Sequence, residues 1–129
     1  MGAVAADLPQ LVVPDAAAWR EWLGAHWDSP GVWLVLAKKG ETEPTRLAYD
    51  QALEEAICHG WIDGQVRRRD ETTYLQRFTP RRPRSRWSSG NVRLAERLRQ
   101  EGRMHEAGAR AVARARADGR WDATAGGGA

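Results

Sequence analysis

The hydrophobic pattern of the chain alternates between two periods. Leu8–Val13 is a short apolar run bracketed by Pro9 and Pro14, which suits an edge strand rather than a central one. Trp19, Trp22, Leu23, His26 and Trp27 recur at i, i+3, i+4, i+7 and i+8. That spacing predicts an amphipathic helix over about 16–27 with Asp15 as its N-cap. Ser29-Pro30-Gly31 breaks it. The continuous run Val32-Trp33-Leu34-Val35-Leu36-Ala37 predicts a central strand buried on both faces. After a polar loop, Ala52, Leu53, Ala56 and Ile57 mark a second helix over about 51–59, with Asp50 as its cap and Gly60 just beyond its end.

Two strand-like runs follow, about 61–68 and 73–78. Arg69-Asp70-Glu71-Thr72 is the turn of an antiparallel hairpin. Strict alternation puts Trp61, Asp63 and Gln65 on one face of the first run, and Tyr74, Gln76 and Phe78 on one face of the second. Residues 79–90 form a basic, Pro-containing loop. Ser88 or Ser89 caps a helix to about Gln100, and a last helix with a small-residue face (Ala107, Gly108, Ala111, Ala115) runs about 104–117. The order β-α-β-α-β-β-α-α predicts an α+β fold, a small mostly antiparallel sheet of about four strands with about four helices on one side. The expected domain is 15–122, with a leader and edge strand over 1–14 and a disordered Gly/Ala tail over 123–129.

At 129 residues the chain suits one domain. Its single cysteine, Cys58, excludes an internal disulfide. A six-residue apolar run is far short of the roughly 20 needed to span a bilayer, so no membrane insertion and a cytoplasmic location are expected. One Cys and three scattered His offer no zinc-ligand spacing, and no phosphate-loop or dinucleotide motif occurs, so neither metal nor cofactor is expected.

Charge changes the picture. Segment 67–103 holds 12 of the 20 basic residues and four acids (Asp70, Glu71, Glu96, Glu101), a net +8 that leaves −5 for the remainder. Of those 20 only Lys38 and Lys39 are lysines, and seven residues are Trp. Guanidinium and indole suit anionic, planar or aromatic ligands, although a high-GC genome also enriches arginine. Arg97, Arg99, Arg103, Arg110, Arg114 and Arg116 read as outer helix-face residues, with Glu106 and Arg110 forming an i,i+4 pair.

Several motifs resemble a known family. Gly31-Val32-Trp33-Leu34 with Lys38-Lys39 is followed by Leu47-Ala48-Tyr49 and Cys58-His59-Gly60-Trp61-Ile62-Asp63-Gly64. Arg77-Phe78-Thr79-Pro80-Arg81-Arg82 and Ser85-Arg86-Trp87-Ser88-Ser89-Gly90-Asn91 come next, then Gly102-Arg103-Met104 and Asp118-Gly119-Arg120-Trp121. This order is similar to the YdeI/OmpD-associated (bacteriocin-protection) family over about residues 15–122. The resemblance implies small cytoplasmic bacterial proteins of compact α+β fold, linked by name to bacteriocin or peptide-antibiotic tolerance and to a porin, with no settled reaction. It also implies a further helical region after Trp121, whereas this sequence ends in Gly126-Gly127-Gly128-Ala129, and a Thr-containing cap where His105 stands.

Charge, aromatics and motifs converge on one expected site, a pocket between the hairpin and the 79–91 loop. Trp61 and Trp87 supply stacking faces, Asp63 an acceptor, and Arg77, Arg81 and Arg82 anion-binding forks. Trp33, Lys38, Thr79, Ser85, Ser88 and Asn91 complete the set. The competing structural expectation is that Asp63 pairs with Arg77 or Arg81 to pin the loop, with Trp87 as its anchor. The leading functional expectation is a protective binder of a small molecule or peptide, anionic or aromatic. The alternatives are nucleic-acid binding through 67–103 and a small enzyme using Asp63 or Cys58. Cys58 itself reads as a buried small hydrophobe. A homodimer remains open.

Overall fold

The computed structural model describes residues 8–121. The expected leader over 1–7 and tail over 123–129 lie outside the described residues. The elements are β1 (Gln10–Leu11), α1 (Ala16–Ala25), β2 (Val32–Ala37), α2 (Tyr49–Cys58), β3 (Trp61–Arg68), β4 (Thr73–Pro80), α3 (Ser89–Gln100) and α4 (Glu106–Ala117). The four strands make one sheet in the order β1-β2-β4-β3. β1 pairs with β2 in parallel across α1, and the other pairings are antiparallel. The fold is therefore α+β, with a mixed sheet.

Strand β2 is central and buried along its length, as its unbroken apolar run requires. Val32, Leu34 and Leu36 face Trp19 and Leu23 of α1 and Ala52 and Ala56 of α2, together with Trp61 and Phe78. Trp33 and Val35 point the other way and pack with Leu75 and Leu8. A third cluster lies on the outer side of α2, where Ile57 and Cys58 meet Val92, Ala95 and Leu98 of α3, Ala111, Val112 and Ala115 of α4, and Trp87 and Trp121. Three layers thus follow one another, the sheet, then α1 and α2, then α3 and α4. Trp19 is fully buried, donates Nε1–H to the Ala52 carbonyl at 3.0 Å, and meets Trp61 and Phe78 edge-on. Truncating it to alanine would cost about 3–5 kcal/mol.

Three sequence expectations need correction. Helix α1 ends at Ala25, because His26 leaves helical backbone angles (φ −122°, ψ 40°) while still closing the last helical bond to Trp22, and the chain then turns through Ser29. Trp27 therefore leaves the apolar stripe and stands 72% exposed. Helix α2 starts at Tyr49, with Ala48 as N-cap and Gln51 reaching back to the Ala48 N–H at 3.2 Å; Asp50 sits in the first turn instead of capping it. Strict alternation also fails on β3. Asp63 pairs with Phe78 but Val66 with Gln76, so a bulge over Gly64 and Gln65 inserts one extra residue. Val66, not Gln65, then follows Asp63 on the helix side. Gln76 donates Nε2–H to the Gly64 carbonyl at 2.6 Å, which satisfies the bulge and explains a buried glutamine.

Candidate functional site

The feature that organises the site is the meeting of two helix ends. Gly60, at φ +80°, turns the chain from α2 into β3, and a Cβ there would lie 2.9 Å from the Ala107 carbonyl. Gly108 sits still closer, since its Cβ would fall 2.2 Å from the Cys58 carbonyl. Only glycine permits this approach. The His105 N–H then bonds to the Cys58 carbonyl at 2.9 Å, so the N-terminus of α4 caps the C-terminus of α2.

This junction forms the floor of a cleft of about 440 Å³. Gly24 of α1 and Trp27 just past its end border it, with Trp61, Pro80 and Arg81 from the strand ends, and His59, His105, Arg110 and Arg114 from the helix junction. Three guanidiniums and two imidazoles line it, with no carboxylate among the described residues. The N-terminal end of α4 adds its own positive partial charge. Glu106 and Arg110 do not form the expected ion pair, and Arg110 faces the cleft instead.

Arg81 is the most constrained of these groups. It is only 7% exposed, its Nη1 donates to the Arg86 carbonyl at 2.9 Å, and its guanidinium lies 3.6 Å above the Trp87 ring. Its Nε and Nη2 have no hydrogen-bond partner among the described residues. Burial draws its pKa down to about 10, opposed by the charge of Asp63, so it stays cationic at neutral pH. Asp63 forms no ion pair with Arg81 or Arg77. It accepts a 2.7 Å hydrogen bond from the Tyr49 hydroxyl. Burial and that bond raise the tyrosine's pKa and keep it a donor.

The structure gathers some of the expected site residues and separates others. Trp61 and Arg81 meet at the cleft, and Trp87 supports Arg81 from beneath while touching Trp121 edge-on at 5.1 Å. Arg77 pairs with Trp33 across β4 and β2, which puts both on the sheet face away from the helices, and Thr79 shares that face opposite Ile62. Lys38 lies at the hairpin-turn end and donates to the Asp70 carbonyl at 2.7 Å. Ser85 and Ser88 serve local turns, accepting from the Arg82 and Asn91 backbones. Arg82 is exposed beside them. Cys58 is buried, and burial pushes its thiol up to about 11, with Glu55 adding to the effect.

Sequence reasoning missed Trp27, His59, His105, Arg110 and Arg114. His59 and His105 stack with ring centroids 4.7 Å apart and planes 21° apart. They are 46 positions apart in the chain, and only the glycine-mediated helix junction unites them. The one sequence signal was His105 itself, an unusual residue at a helix cap, where its Nδ1 now accepts from the Ala107 N–H at 3.2 Å.

Fold and site together define a small α+β protein with an arginine- and histidine-lined cleft. The chain belongs to the family described as a domain of unknown function, DUF8412, which matches residues 11–111. That span includes both helix ends of the junction, Arg81 and Arg110. No curated protein and no solved structure matches the chain.

Proposed function

We propose that the chain binds a small anionic molecule or peptide terminus, carrying a planar or aromatic part, in the cleft between Trp27, Trp61, Arg81 and Arg110. The observation that carries this reading is the buried Arg81 guanidinium on the cleft wall, held by Trp87, with two nitrogens that have no partner and no lining carboxylate among the described residues. Burying a cation this way costs free energy, and an anion in the cleft offsets it through the field of three arginines. Trp27 supplies an exposed aromatic wall at the mouth. Similarity to the bacteriocin-protection family extends the proposal to a protective role, in which the cleft sequesters a toxic anionic or aromatic compound.

The test is a thermal-shift screen of the full chain against anionic aromatic antibiotics, aryl sulfonates, aryl phosphates and their neutral analogues. Anionic members should raise the melting temperature and neutral analogues should not. Arg81→Met keeps much of the side-chain volume over Trp87 but removes the charge. It should abolish the shift and cost about 1–3 kcal/mol of stability through the lost bond to the Arg86 carbonyl. The absence of a shift with every anion at high excess would defeat the reading.

A further inference from the structure

We propose that the stacked His59 and His105 form the oxyanion-receiving end of this cleft, and that binding of a sulfonyl or phosphoryl group there takes up a proton. The inference rests on the anion-binding reading of the same cleft and deepens it by naming the ligand group and its linkage to pH.

The hydrogen bonds fix both tautomers. The His59 Nδ1 lies 2.9 Å from the Glu55 carbonyl, which can only accept, so Nδ1 carries the hydrogen and Nε2 a lone pair. The His105 Nδ1 accepts from the Ala107 N–H, so its hydrogen sits on Nε2. Both rings line the cleft, and both spend Nδ1 on backbone. Two Nε2 atoms remain for a ligand, one a donor and one an acceptor. A tetrahedral oxyanion only accepts. It is fully served when His59 also protonates, which converts the pair from one donor to two.

The unliganded site opposes that protonation. His59 is buried, stacks on His105, and shares its surroundings with Arg20, Arg81, Arg110 and Arg114. Glu55 is its nearest acid, but that carboxylate is bound by Arg103 at 3.1 Å and Arg20 at 3.6 Å. Asp63 acts on Arg81, and Glu106 follows His105 in the first turn of α4. Burial holds the His59 pKa below its usual range, with the Arg20 charge acting the same way. An anion between the rings reverses the balance and raises it. Affinity is then highest below the unliganded pKa and falls as pH rises through the liganded one. Each unit by which the ligand raises that pKa is worth about tenfold in affinity across the titration.

The probe is a naphthalene sulfonate, whose charge is constant over the histidine range of about pH 5 to 8. Its affinity for the full chain is measured by calorimetry at both ends of that range. We expect binding about tenfold or more tighter at the acid end, and a flattened profile in His59→Gln and in His105→Ser. Serine is itself a favoured N-cap, so His105→Ser keeps the start of α4 while removing the ring. Binding with no pH dependence, or with an unchanged slope in His105→Ser, overturns the inference and leaves the anion-binding reading standing. Failure of the sulfonate to bind at either pH overturns both. A naphthyl phosphate run beside it distinguishes the source of the oxyanion, since a preference for the phosphate assigns the site to phosphoryl groups and a preference for the sulfonate to sulfonyl groups.

Discussion

At the scale of single residues, the side chains with the most reactive reputations are often structural, and the informative ones are those with unmet needs. Cys58 is followed directly by His59, a neighbour that suggests a nucleophile. Yet its thiol is buried beneath α4 and its pKa is about 11. A thiol held protonated reacts slowly. Native protein should therefore resist a maleimide reagent over hours and react once denatured, as mass spectrometry can measure; rapid native labelling would contradict this placement. Asp63 is engaged as well, since its Oδ2 accepts the Tyr49 hydroxyl. Arg81 differs because burial and stacking fix its plane while two nitrogens go unpartnered. The sequence singled it out only together with Arg77 and Arg82, among the 12 basic residues of the segment. Only three-dimensional packing distinguishes it from exposed Arg82.

At the scale of elements, most boundaries were legible because the apolar pattern is strong. Strand β2 was predicted as 32–37, and the Asp15 and Ser88 caps both accept the expected backbone bonds, from Ala18 and Asn91. The hairpin turn is held as its composition suggested, with the Asp70 carboxylate accepting from the Thr72 and Thr73 N–H groups. The Thr73 hydroxyl, which donates to the same carboxylate at 2.8 Å, holds the Asp70 pKa down, and these N–H groups add to it. The bulge on β3 was not legible, since a Gly within an alternating strand marks an irregularity without saying which way the register moves. The helix junction was not legible either. The small face of α4 signalled close approach but not its partner, which is the C-terminal turn of α2. Gly108→Ala puts a methyl group into the Cys58 carbonyl, and both atoms belong to rigid backbone. It should destabilise the fold by about 3 kcal/mol or more in urea denaturation, against a general gain in helix propensity of about 1 kcal/mol. A neutral effect would mean that the junction is looser than described.

At the scale of the molecule, the +8 segment does not act as one surface. Arg97 and Arg103 reach back to Glu54 and Glu55 on α2, Arg99 pairs with Glu96, and Arg69 with Asp70. The Arg97 and Arg103 pairs tie α3 and the turn after it to α2, and Glu54 and Glu55 offset charge that the linear count of the segment leaves free. Arg67 lies over Trp33 at 4.0 Å on the far sheet face, well away from the cleft. The charge asymmetry read from the sequence is thus divided between a helix-side ion-pair network, a sheet face and a basic loop. What concentrates positive charge in a concave site is the addition of Arg110 and Arg114, which lie outside the segment. Among the described residues no helix is long and apolar enough to cross a membrane. A cleft-binding protein is the reading that uses the three-dimensional arrangement, whereas a nucleic-acid reading uses mainly the linear one.

The central claim is that the ligand sits at the helix junction rather than between the hairpin and the 79–91 loop. Amide and indole chemical shifts of the labelled chain, followed during titration with an aryl sulfonate, test this most directly. The largest changes should fall on Trp27, Gly60, Trp61, Arg81 and Ala107, with those of Lys38, Arg77 and Thr79 nearly unmoved. Changes centred on Arg77, Thr79 and Trp33, or spread evenly over the basic loop, would contradict it.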